Sequence, residues 1–214
     1  MRTGYFRRRG VVAICAMAIG AWLGFAAAAH AVELSPGVSE LYTSVSIYPP
    51  SASSMTVCYG FGCRRRHSLD FGPGDKAALA KIMAAGKASA AAERAAVQKA
   101  VVWFDRRVGP VIGTDKRIAN ADIRHMADKQ NFDCWDTTRN VTSLLLVMSE
   151  WGLLKHHDIG NPRYRGNPLA LQTPHNTAIL QERATRSEWV VDLWTRGYAQ
   201  APDVKPADQW VKEN

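Results

Sequence analysis

The first 31 residues contain no aspartate or glutamate, and that absence explains much of the chain's basic balance. The formal charge of the 214 residues is +8, but Arg2, Arg7, Arg8 and Arg9 all fall in this acid-free stretch. The remaining 183 residues hold 23 basic and 19 acidic side chains, a net +4, too even to argue for a nucleic-acid partner. Beyond one N-terminal apolar run there is no second run long enough to span a bilayer, so the rest of the chain is expected to be soluble. No CxxC or HxxxH pair occurs. Cys134, His156, His157, Asp158 and His175 are possible ligands without a zinc spacing, and neither a metal nor a cofactor is expected. There is no internal repeat, and no low-complexity segment beyond the alanines near position 90. With 47% hydrophobic and 21% charged residues, the composition excludes a disordered tail and suits one domain with a short appendage.

What the N-terminus does have is an export signal. Arg7, Arg8 and Arg9 precede an apolar run from Val11 to Ala29, and Ala29-His30-Ala31 supplies a small-x-small exit. The run is just long enough to cross a membrane, but it is alanine-rich and broken by Gly20 and Gly24. It therefore reads as a signal peptide over 1–31 cleaved after Ala31, rather than a retained anchor. Cys15 follows Ile14 rather than a small residue, so no lipoprotein site is read there. The expected location is periplasmic or secreted.

Export sets the cysteine arithmetic. Cys58 and Cys63 are separated by Tyr59-Gly60-Phe61-Gly62, whose two glycines allow a turn tight enough for a disulfide in an oxidising compartment. Cys134 is then odd. It is either a buried inert residue or a nucleophile.

Residues 32–74, with Pro36, Pro49, Pro50 and Pro73, read as a loop-rich N-terminal extension. Arg64, Arg65 and Arg66 read as a solvated basic run. Asp75 starts a short helix through Leu79, Ile82 and Met83. A second helix carries Val97, Val101, Phe104 and Val108 on one stripe, and Gly109-Pro110 is expected to stop it. A third begins at Asp136, buries Val141, Leu144, Leu145, Met148 and Trp151 on one face, and ends at Gly152. Asn161-Pro162 and Asn167-Pro168 read as loops, with His156 and His157 favouring the helix C-terminus. Thr177–Gln181 and Trp189–Trp194, with a polar stretch between them, read as a β-hairpin, and the tail to Trp210 as laid back on the body. The fold class expected is α+β, helices packed on an antiparallel sheet.

The chemistry gathers at Asn131-Phe132-Asp133-Cys134-Trp135-Asp136. A thiol at a helix start meets free N–H groups and a dipole that favour its thiolate, so a pKa well below the ordinary ~8.5 is expected. His175, at the entrance of the hairpin, is a candidate base, and Asp192, inside the apolar run Trp189–Trp194, a candidate orienter. A turn about Arg183 and Ala184 would place His175 directly opposite Asp192, on one face of the sheet.

Asp133-Cys134-Trp135-Asp136 opening a helix, His175 starting a strand and Asp192 in the following strand resemble the transglutaminase-like cysteine peptidase superfamily, over about residues 95 to 195. The chain has Phe132 where the bacterial branch commonly has Gly, and Trp135 where it commonly has Glu. The resemblance implies a papain/transglutaminase-like fold for 75–214, with Cys134 as nucleophile, His175 as base and then acid, and Asp192 as orienter. The Cys134 N–H and Gln130 would serve as oxyanion donors, and peptide or amide bonds of the cell envelope would pass through a thioester. Two other readings stay open: a cell-wall peptide-cleaving Cys-His enzyme, and an inactive exported interaction protein that uses the seven tryptophans as a binding face.

Overall fold

The helix that starts at Cys134 runs down the middle of the molecule. In the computed structural model, which describes residues 34–213 besides Met1, this helix, α4 (Cys134–Glu150), is buried at every position from Asp136 to Met148. The predicted signal peptide and its cleavage point lie outside the described residues. The expected apolar stripe is present, since Val141, Leu144, Leu145 and Met148 form part of the main core. A helix with one apolar face normally leaves the other to water. Here the polar face is also covered, and its side chains fasten what covers it.

The covering comes from the segment expected to be loop-rich. Helix α1 (Pro36–Thr43) and the antiparallel hairpin β1 (Ser54–Tyr59) with β2 (Arg65–Asp70) occupy residues 34–70. Prolines concealed these short elements. Pro36 serves as the first residue of α1, where its missing N–H costs nothing. Val38, Leu41 and Tyr42 of α1 pack with Leu146, and Met55, Val57 and Leu69 of the hairpin enter the main core. Arg139 of α4 donates to the carbonyl of Leu41 (2.7 Å), and Ser143 meets the hydroxyl of Tyr42 (3.0 Å). Asn140 accepts from the N–H of Cys58 and donates to its carbonyl, both at 2.8 Å. Buried polar groups cost stability unless paired, so these bonds are the condition for burying the polar face at all.

Helices α2 (Pro73–Ala84) and α3 (Ala90–Ile112) follow, joined by a turn of 3-10 helix. Helix α3 does not stop at Gly109-Pro110. It continues to Ile112 and ends at Gly113 in the left-handed conformation. Proline crowds the Cβ of the residue before it, and Gly109 has none. Gly109 is needed for a second reason: a Cβ there would lie 2.4 Å from Cε2 of Tyr198. Gly109→Ala is therefore expected to lower stability by about 1–3 kcal/mol in urea unfolding, and adding Tyr198→Ala is expected to recover part of that loss.

The last third is one antiparallel sheet in the order β3 (His157–Arg165), β4 (His175–Glu182), β5 (Glu188–Asp192), β6 (Asp203–Pro206), closed by the short helix α5 (Ala207–Trp210). The two hairpin strands stand where expected. Strand β3 runs through Asn161-Pro162, where a loop is expected. The proline is accommodated by a register shift between Gly160 and Arg163 on this edge strand. His157 does not cap α4. It is fully buried and bonds through Nδ1 to Glu93 (2.9 Å). Glu93 also accepts the N–H groups of Lys155 and His156, fixing the turn into β3. The architecture is α+β. No helix among the described residues is long and apolar enough to cross a membrane.

Candidate active site

Cys134 is the first residue of α4, and Asp133 caps the helix by accepting the N–H of Asp136 (2.7 Å). The thiol is partly exposed and, among the described residues, is the free cysteine; Cys58 and Cys63 are bridged, as expected. The disulfide closes a loop in which Gly60, Phe61, Gly62 and Cys63 all have positive φ. Two of these are not glycines, and a run of left-handed residues needs outside support. Asp133 and Asp136 supply it, on either side of the cysteine. Asp136 accepts the N–H of Phe61 (2.9 Å) and of Cys63 (2.7 Å), and Asp133 accepts that of Gly62 (2.7 Å). The two acids therefore hold the disulfide loop against the mouth of the helix.

His175 opens β4, and Nε2 lies 2.7 Å from Oδ2 of Asp192 at the end of β5. Both side chains are buried. The expected register was two residues off. Ala178 pairs with Val191 and Gln181 with Glu188, which centres the turn between Ala184 and Thr185. A shift of two keeps every side chain on its face, so His175 and Asp192 become diagonal rather than opposed neighbours and still meet. Because a carboxylate accepts, Nε2 carries the proton, and Nδ1 is left with its lone pair. Nδ1 is buried and has no hydrogen-bond partner.

Asp192 also accepts from Nε1 of Trp210 (2.9 Å) through the same Oδ2. The imidazole lies between two indoles, with centroids 4.5 Å away at Trp194 and 5.2 Å at Trp210. Trp194 in turn donates to the carbonyl of Ala121 (3.0 Å), fixing the loop that faces the disulfide. Asn176, next to the histidine, places its amide against Thr138 (2.6 Å) and Sγ of Cys134 (3.4 Å). Turned over, the same amide reaches Thr138, the carbonyl of Cys134 (3.0 Å) and Nε1 of Trp135 (3.3 Å). Either way it ties β4 to the first turn of α4.

No family model, curated protein or solved structure matches the chain. A groove of about 600 Å³ begins at Cys134. Phe61, Ile123, Met126, Pro174 and Trp194 give it an apolar lining, with Arg64, Asp122 and Asp133 at its polar edge. His175 and Asp192 meet each other, and the neighbours of His175 reach Cys134, Asn176 at the sulfur and Pro174 in the groove lining, whereas Gln130 does not join them. Gln130 sits in the turn before α4 and lines no part of this groove. Its neighbour Asn131 pins that turn to the N–H groups of Ile118 and Gly60. Asn176, Trp210 and the loop-holding role of Asp136 were missed in the sequence. The one available signal was Asp136 itself, an acid starting a helix whose later residues are apolar.

The thiol differs from expectation as well. Burial pushes it up to about 11, with the nearby Asp133 carboxylate adding to the rise and the backbone N–H groups of Asn176 and Cys134 opposing it. Burial outweighs the helix mouth, so the resting group is a thiol rather than a thiolate. Iodoacetamide labelling of Cys134 is accordingly expected to rise with pH beyond the ~8.5 of a free cysteine. Asp133→Asn can keep the cap through its one amide oxygen, gives up the bond to the Gly62 N–H and removes the charge, and should move that profile to lower pH. A midpoint at or below ~8.5 in the unmodified protein would contradict this reading.

Proposed function

We propose that the protein is an exported thiol hydrolase or acyltransferase of the transglutaminase-like cysteine peptidase kind, with a papain/transglutaminase-like fold, acting on peptide or amide bonds in the cell envelope. The observation that carries this reading is the buried His175–Asp192 pair. It leaves Nδ1 as an unpartnered base, while the residues on either side of His175 both meet Cys134: Pro174 across the groove and Asn176 at the sulfur.

The residues then act in order. Cys134 Sγ and His175 Nδ1 share no hydrogen bond at rest, and such bonds commonly tighten when substrate arrives. With a carbonyl in the groove, Nδ1 takes the thiol proton as sulfur attacks carbon. The oxyanion meets the N–H groups of the first turn of α4. His175 returns the proton to the departing amine, and the C–N bond breaks to leave a thioester on Cys134. Water, or an amine, then attacks the thioester with His175 again as base, and the thiol is restored. Asp192 holds the imidazole by Nε2–H throughout and stabilises its charged form.

The test is acylation by p-nitrophenyl acetate. One equivalent of p-nitrophenolate should be released in a burst, with the acetyl group on Cys134 by peptide mass mapping, and none with Cys134→Ser. The raised thiol favours a second reading, an inactive interaction protein. That reading takes over if folded protein leaves Cys134 unacylated.

A further inference from the structure

The run Arg64-Arg65-Arg66 is not uniformly a solvated face. Arg66 is used structurally, donating to the carbonyls of Val45 (2.6 Å) and Cys63 (3.3 Å). Arg64 and Arg65 are different. Arg64 stands on the edge of the groove at Cys134, and its Nε donates to the carbonyl of Phe61 (3.1 Å). Beside that groove lies a second depression of about 390 Å³, lined by Gly60, Arg64, Arg65, Met126, Ala127 and Lys129. The two hollows share Arg64 and Met126, so they adjoin, and together they make a track that passes these two side chains.

The charge on this track is one-sided. Arg64, Arg65 and Lys129 are exposed, and among the described residues none of them forms a salt bridge. No acid lines the second depression. The two acids on the first groove are already engaged: Asp122 with Arg124, and Asp133 with the N–H groups of Gly62 and Asp136. The apolar part is equally unpartnered, with Ile123 77% and Met126 45% exposed. Exposed apolar side chains rimmed by free cations beside a nucleophile describe a recognition surface. Its volume suits one bulky side chain and a short length of backbone.

We infer that the track takes an acidic polypeptide segment, with a bulky apolar residue in the groove at Cys134 and carboxylates on Arg64, Arg65 and Lys129. The inference rests on the proposed function for the fate of the bound segment, not for its binding. The cations share an edge with the apolar groove, which favours a peptide over a membrane surface. Each exposed charge pair contributes modestly, and three acting together give a preference on the order of tenfold.

The experiment uses the Cys134→Ser protein, which binds without turnover, and dansylated heptapeptides followed by fluorescence anisotropy. One peptide has a central phenylalanine flanked by three glutamates on each side. The others replace the glutamates by lysines, or the phenylalanine by glycine. The glutamate–phenylalanine peptide should bind about tenfold or more tighter than both, and added salt should weaken it. Combining Arg64→Glu with Lys129→Glu should turn the charge preference toward the lysine peptide. Equal binding of the three peptides overturns the inference, whatever the fate of the charge-reversed variant. So does tighter binding to phosphatidylglycerol vesicles that the acidic peptide cannot displace. If the peptide preference holds but p-nitrophenyl acetate does not acylate unmodified Cys134, the catalytic reading fails and this one stands. Acylation without any peptide preference gives the reverse.

Discussion

Replacing Asp192 by Asn is expected to slow acylation of Cys134 by about 10²–10⁴-fold, because it removes a charge while nearly preserving a shape. Oδ2 of Asp192 receives both Nε2 of His175 at 2.7 Å and Nε1 of Trp210 at 2.9 Å. An amide oxygen can accept the same two bonds, so the tautomer with a free Nδ1 is retained. On the proposed mechanism, what disappears is the counter-charge for the imidazolium that forms when His175 takes the thiol proton. That cation arises in a site closed by Trp194 and Trp210, where an unpaired charge is costly. The other oxygen, Oδ1, is buried without a partner, so the new NH2 group would be an unsatisfied donor. A stability loss of about 1–3 kcal/mol should accompany the kinetic effect. The burst phase with p-nitrophenyl acetate measures the first quantity and urea unfolding the second. A burst rate within twofold of the unmodified protein would show that Asp192 has no role beyond the fold.

What could be read in advance was what repeats with a period. The stripe of α4, the stripe of α3 and the β-forming runs of β4 and β5 are all set by local residues, and the structure has each of them. The hairpin register was off by two, yet the partnership of His175 with Asp192 survived because the face is fixed by parity and not by exact pairing. What could not be read was what depends on a distant partner. Arg139, Asn140 and Ser143 look like an exposed polar face until α1 and the disulfide hairpin are placed over them. Strand β3 was hidden by Pro162, which a strand tolerates at an edge where the register shifts. The thiol departs from expectation for the same reason. Its position at a helix mouth is local, but its burial comes from β4 and the disulfide loop, and burial is the larger effect.

Asp136→Ala should destabilise the protein more than removing the disulfide does. Joining Cys58 to Cys63 closes a loop with a separation of 5, and constraining so short a loop in the unfolded chain contributes about 2 kcal/mol. Asp136 is fully buried, and its carboxyl is raised by that burial and by the Asp133 charge, while the N–H groups of Cys63 and Phe61 and the Arg139 charge oppose the rise. Truncating it leaves two buried N–H donors unpaired, at about 1–3 kcal/mol each, and takes from Arg139 the larger of the two carboxylate charges that act on it, leaving that of Asp133. It also removes the support for left-handed Phe61 and Cys63, whose conformation is unfavourable alone. A loss of about 3–5 kcal/mol is expected for Asp136→Ala, against about 2 for Cys58→Ala combined with Cys63→Ala. Urea unfolding of the two variants side by side gives the comparison. The disulfide variant should also keep much of its Cys134 acylation, because Asp133 and Asp136 still dock the loop, whereas Asp136→Ala should lose it with the groove wall that Phe61 forms. If the disulfide variant is the less stable of the two, the carboxylates do not hold this loop, and the bond between Cys58 and Cys63 does.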